Sequence, residues 1–191
     1  MKHKIILIVV FIFSMISCKA QYIIPVEDGH KYIATEKGFM GDHDYVYVKD
    51  VNNVLPKFVG IWKGTYQSKS FEFRITKITT DDGEIKEDML LMRYKITDSN
   101  GNVIEDVLSL PNDDGYVMQN GYVSKNGLYV FSYIGRDMAC GQNGWVFAEV
   151  YGTNNDKMQL FLAVKGENYP ECTTGTAEQI LPMEQMELIK Q

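Results

Sequence analysis

From Phe71 to Thr76 the chain alternates Phe71, Phe73 and Ile75 with Glu72, Arg74 and Thr76. That two-residue period is the pattern of a half-buried β-strand. Similar short stretches rich in β-branched and aromatic residues recur at 58–66, 70–78, 89–97, 103–110, 115–123, 128–135, 145–151, 157–164 and 186–190. Between them lie "DDGE", "DSNGN", "NDDG" and "SKNG", whose Asp-Gly and Asn-Gly pairs favour tight hairpin turns. The pattern predicts an all-β protein of about nine strands that follow one another, either an antiparallel up-and-down β-barrel or a strongly curled sheet. If the strands close, Phe71, Phe73, Ile75, Met92, Tyr94 and Ile96 face one interior. A barrel of that size has room for complete filling by side chains or for one small ligand.

One hairpin carries enough pattern to fix its register. "WVFAEVY" (145–151) and "KMQLFLAV" (157–164) flank the turn "GTNND". Setting Tyr151 against Lys157 places Val146 opposite Leu162, Ala148 opposite Leu160 and Val150 opposite Met158. That face is then wholly apolar, as a correct register requires. Extended past the open end, the register sets Cys140 opposite residue 168, four short of Cys172. A disulfide between Cys140 and Cys172 is therefore expected, given an oxidising compartment.

The leader supplies the compartment. Met1-Lys2-His3-Lys4 is a short basic start, and in the apolar run Ile5 to Ile16 only Ser14 is polar. As a helix this run reaches roughly 18 Å, too short for a hydrocarbon core of about 30 Å. It reads as an export signal rather than an anchor. Its ending, Ser17-Cys18, resembles the bacterial lipoprotein signal, with Met15 where leucine is usual. The resemblance implies that residues 1–17 are removed and that Cys18 carries the lipid. Several acyl chains, at about 0.8 kcal/mol per buried methylene, would hold the protein at a membrane. Lys19-Ala20-Gln21 lacks an acidic cluster resembling surface-export signals, which favours the periplasmic side of the outer membrane over the cell surface, the alternative.

Removal of residues 1–17 takes away Lys2 and Lys4 and no acid, so Lys+Arg falls from 19 to 17 against 25 Asp+Glu and the formal charge moves from −6 to −8. An acidic chain is a poor partner for nucleic acid, whose binding rests on neutralising phosphates. Residues 58–191 form one domain without an internal linker. Residues 18–57 read as a lipid-anchored tether and packing segment. In that segment "YVYVKD" is a candidate edge strand and "VNNVL" a turn of helix, while Tyr32, Phe39, Tyr45 and Tyr47 suggest packing onto the domain.

"KDVNNVLPKFVGIWKGTY" (49–66) with the leader resembles a family of small lipoproteins of the Bacteroidota known as a domain of unknown function. Gly60 and Trp62 also resemble the Gly-x-Trp start of lipocalins and other calycins. That resemblance implies a barrel in which Trp62 closes one end as a core plug.

Candidate chemistry is sparse. Beyond the leader only His30 and His43 occur. Acids flank both, but their spacing does not form a helical metal pair, and solvated loop residues are the expectation. No nucleophile elbow or phosphate-binding glycine loop appears. No metal or cofactor is expected. Two function classes follow. The first is a non-enzymatic envelope lipoprotein binding a small apolar ligand or a protein partner. The second is an envelope or glycan hydrolase using carboxylates that the sequence does not single out.

Overall fold

The computed structural model describes residues 21–33 and 35–191, so the leader and Cys18 lie outside the described residues. Among the described residues eleven strands form a single sheet: β1 (Tyr22–Pro25), β2 (Val46–Lys49), β3 (Gly60–Tyr66), β4 (Lys69–Asp81), β5 (Ile85–Thr97), β6 (Val103–Asp106), β7 (Gln119–Val123), β8 (Tyr129–Ile134), β9 (Asn143–Tyr151), β10 (Lys157–Val164) and β11 (Met186–Lys190). The order across the sheet is β1-β2-β5-β4-β3-β11-β10-β9-β8-β7, with β6 on β5. The all-β expectation holds, with one 3₁₀ turn at Val26–Lys31.

The hairpins follow their turn chemistry. Gln67 and Ser68 both take positive φ, 48° and 63°, between β3 and β4, the left-handed pair that a two-residue hairpin turn requires. Asp98 closes the "DSNGN" turn by accepting from the N–H groups of Asn100 and Asn102, each at 2.8 Å. The β9–β10 ladder runs from Lys157 opposite Tyr151 to Val164 opposite Gly144, in the register read from the apolar face. The C-terminal strand β11 joins the two meanders by pairing with β10 on one side and β3 on the other. Gly64 permits that junction, because a Cβ there would collide with the Glu187 carbonyl.

Several features differ from the sequence reading. Residues 107–110 and 115–117 form turns where strand was expected. The sheet is mixed rather than antiparallel throughout, since β1 pairs with β2 and β2 with β5 in parallel. "YVYVKD" thus supplies an internal strand with β1 outside it, and "VNNVL" forms turns instead of helix. The sheet also curls without closing as a calycin barrel. Its far end meets β5 at one isolated bridge, where Met92 and Met118 exchange N–H···O bonds of 2.9 and 3.0 Å. There is a physical reason for the gap. The free edge of β5 is already occupied by β2 at residues 85–87 and by β6 at 95–97. In addition, β7 is bulged between Gln119 and Tyr122, which turns it away from a continuous ladder. The rest of that edge of β5 is satisfied piecemeal: Leu90 N–H donates to the Tyr129 hydroxyl (3.0 Å), and Val107 N–H donates to the Tyr94 carbonyl (2.9 Å).

Candidate functional site

The residues expected inside the curl lie there together. Phe71 opposes Ile96, Phe73 opposes Tyr94 and Ile75 opposes Met92, and all six share one buried cluster with Trp62. Trp62 donates from Nε1 to the Phe58 carbonyl at 2.7 Å, and the Lys190 ammonium sits 5.0 Å from its ring centroid. Phe58, Tyr129, Phe131 and Tyr133 fill the space between. Beneath the N-terminal segment a void of about 10 Å³ remains beside Val48, Leu55 and Tyr129, about the room one water needs. Among the described residues the interior is a packed core, and the wider grooves open outside it.

Cys140 and Cys172 lie at disulfide distance, with 2.08 Å between the sulfurs. Cys140 bridges Asn168, the position that the extended register gives, and the loop after Asn168 turns back to bring Cys172 in. Closing a loop of that length removes about 3–4 kcal/mol of unfolded-chain entropy. His30 bonds through Nδ1 with the Glu27 carbonyl at 2.8 Å, and His43 stacks on Tyr22 at 3.8 Å. Among the described residues no three His, Cys, Asp or Glu side chains gather as a metal site.

A polar network unseen in the sequence pins the N-terminal segment to the sheet. Asp50, with its side chain 0% exposed, receives Lys77 Nζ at 2.8 Å and the Val54 N–H at 2.7 Å. Asp88 accepts from Thr79 Oγ1 (2.7 Å), from the Tyr47 hydroxyl (3.0 Å) and from the Asp50 N–H (3.1 Å). Burial alone would push the Asp88 carboxyl up, but these hydrogen bonds and the Lys77 charge more than offset it and hold it below the ordinary range. Burial likewise works against the Lys77 ammonium, and Asp50 and then Asp88 raise it above its usual value.

On the outside, a groove of about 230 Å³ opens where β5, β7 and β9 approach the N-terminal segment. Glu87 lies in it with Asn120, Gly121 and Tyr122 of the bulge, Trp145 of β9, and Ile33 and Phe39 of the N-terminal segment. Asn120 has φ of 53°, and a Cβ at Gly121 would collide with the Val130 carbonyl and the Tyr129 ring. The Asn-Gly pair therefore makes a bulge within a strand, and Tyr122 of the bulge and Trp145 both line the groove. Trp145 is 44% and Ile33 49% exposed. Burial, followed by the neighbouring Asp88 charge, pushes the Glu87 carboxyl up to about 7. Among the described residues Glu87 is the single acid lining this groove, so the two carboxylates of glycoside hydrolysis are not assembled in it.

Residues 1–176 match a family described as a family of unknown function, DUF6705. The chain belongs to that family. No curated protein and no solved structure matches it.

For this DUF6705 chain, the sequence carried a partial signal for the groove. A glycine inside a strand pattern, as in "QNGYV", marks a bulge, and bulges re-aim side chains near functional surfaces. Glu87 carried no such mark. It belongs to a run of charged residues, "EIKED", ahead of "MLLM", and only the fold over it reveals its burial.

Proposed function

We propose that this protein is a non-enzymatic lipoprotein of the cell envelope, held through Cys18 on the periplasmic side of the outer membrane, and that its outer groove binds a small apolar-faced ligand or a partner's side chain. One observation carries the binding reading. The interior is filled by aliphatic and aromatic side chains, while a carboxyl group, the exposed Trp145 ring and the part-buried rings of Tyr122 and Phe39 line a groove outside it. A surface tryptophan beside a half-buried acid is apolar area left uncovered together with an under-solvated polar group, a combination suited to a ligand with an apolar body and a polar point. The lipoprotein reading rests on the leader ending in Ser17-Cys18.

Two measurements test these parts separately. Cys18→Ser should leave the protein out of the membrane fraction or unprocessed, and a wild-type chain without lipid by mass spectrometry would refute acylation. Native mass spectrometry of protein extracted from its own envelope should show a bound species that Trp145→Leu loses. Identical spectra for the two proteins would remove the groove as the binding site.

A further inference from the structure

We propose that the groove is a site for an organic ammonium ion, a lysine-type or methylated amine whose charge meets Glu87 and whose carbon shell packs on Trp145, Tyr122 and Phe39. This inference rests on the binding reading above and names the ligand class. Three aromatic side chains and one carboxyl group line the same groove, and ring faces attract cations, more strongly where water is excluded.

Alternatives fit less well. An anion would meet the Glu87 carboxylate, the single acid in the groove lining. A bare metal ion would find a single carboxylate where it needs several oxygen or nitrogen ligands, and no metal-holding cluster forms among the described residues. A neutral apolar ligand would bury the Glu87 carboxyl without a partner, which costs free energy. An ammonium group satisfies the acid and the rings together.

No described residue supplies that cation. Among the described residues Glu87 makes no ion pair; the neighbouring Lys86 lies over the Tyr47 ring, 5.0 Å from its centroid, and Lys77 is engaged by Asp50. The groups facing Glu87 are Asp88 on its own strand, Tyr122 from β7 and Tyr129 from β8. β9 contributes Trp145, and the N-terminal segment contributes Phe39 and Ile33, none of which titrates. Cation binding should therefore weaken as Glu87 takes up its proton on acidification.

The experiment titrates the full, detergent-extracted chain with choline and with its uncharged isostere 3,3-dimethyl-1-butanol, reading tryptophan fluorescence and ligand-observed NMR. At pH 8 choline should bind about tenfold more tightly than the isostere, and the preference should shrink severalfold at pH 5.5. Glu87→Gln should cut the preference at pH 8 to the residual that wild type shows at pH 5.5, the part owed to the rings, while leaving the circular dichroism spectrum unchanged, and Trp145→Leu should weaken choline binding. Equal affinity for choline and the isostere, or a preference that Glu87→Gln leaves undiminished, overturns the ammonium assignment but leaves a binding groove. No choline binding also overturns it, and the native mass spectra then decide the groove independently.

Discussion

Glu87 shows how one side chain can set a pH dependence for the whole protein. Its carboxyl is pushed up from 4.5 to about 7 in the folded chain, so the folded state holds the proton more tightly than the unfolded chain. Protons bound in excess by the folded state make stability fall as pH rises, here between about 4.5 and about 7. Asp88 acts in the opposite sense. Its carboxyl is held below the ordinary range, so its contribution is present above about pH 4 and is lost as pH falls through its folded-state value. Glu87→Gln removes only the first effect. Thermal unfolding should show the variant about 2–4 °C more stable than wild type at pH 8, with the gain gone near pH 4.5. A constant gain at both values would mean that Glu87 is not the group responsible.

At the scale of elements, the N-terminal segment is a strap across the seam of the sheet rather than a tether alone. Ile24, Val26, Val46, Val48 and Leu55 enter the core, and the Asp50–Lys77–Asp88 network ties the strap to β4 and β5. Lys77→Met leaves the buried Asp50 carboxylate without its cation. Because Lys77 is 32% exposed, water offsets part of the loss, and a cost of about 1–3 kcal/mol is expected by urea unfolding. Adding Asp50→Asn should recover part of it, since removing both charges leaves none unpaired. A double variant less stable than Lys77→Met would refute the pairing. The strap was the least legible part of the sequence, and the reason is physical. Each antiparallel hairpin is specified locally, by a turn and a two-residue period on both sides of it, which is why the β9–β10 register could be read. "YIIP" and "VYVK" are four-residue runs whose parallel partners lie across the fold, with no turn joining β2 to β5 to announce the pairing. Segment 115–118 failed for a related reason: its apolar residues matched a strand, but Met118 finds a single bridge to β5 in place of a ladder.

The whole molecule is therefore a curled sheet with a built-in line of weakness. Along most of its length each strand is zipped to two neighbours, most extensively β4 to β5 from Ser70 opposite Thr97 to Asp81 opposite Lys86. Across the β5–β7 seam the backbone contact is the Met92–Met118 bridge, reinforced by the Tyr129 hydroxyl and by the strap. Local opening takes less free energy where fewer hydrogen bonds and contacts must break together. The groove at Glu87 borders this seam, so opening there would also widen the space between β5 and the bulge of β7. Native-state hydrogen exchange should give the amides of Met92 and Met118 a lower opening free energy than those of Phe73, Ala148 and Leu160 in the continuous ladders. Lys77→Met should lower it further at the two methionines while shifting the ladder amides only by the change in global stability. Exchange of Met92 and Met118 solely through global unfolding, at the same free energy as Leu160, would show that the single bridge holds as firmly as a ladder and that the seam is no weaker than the rest.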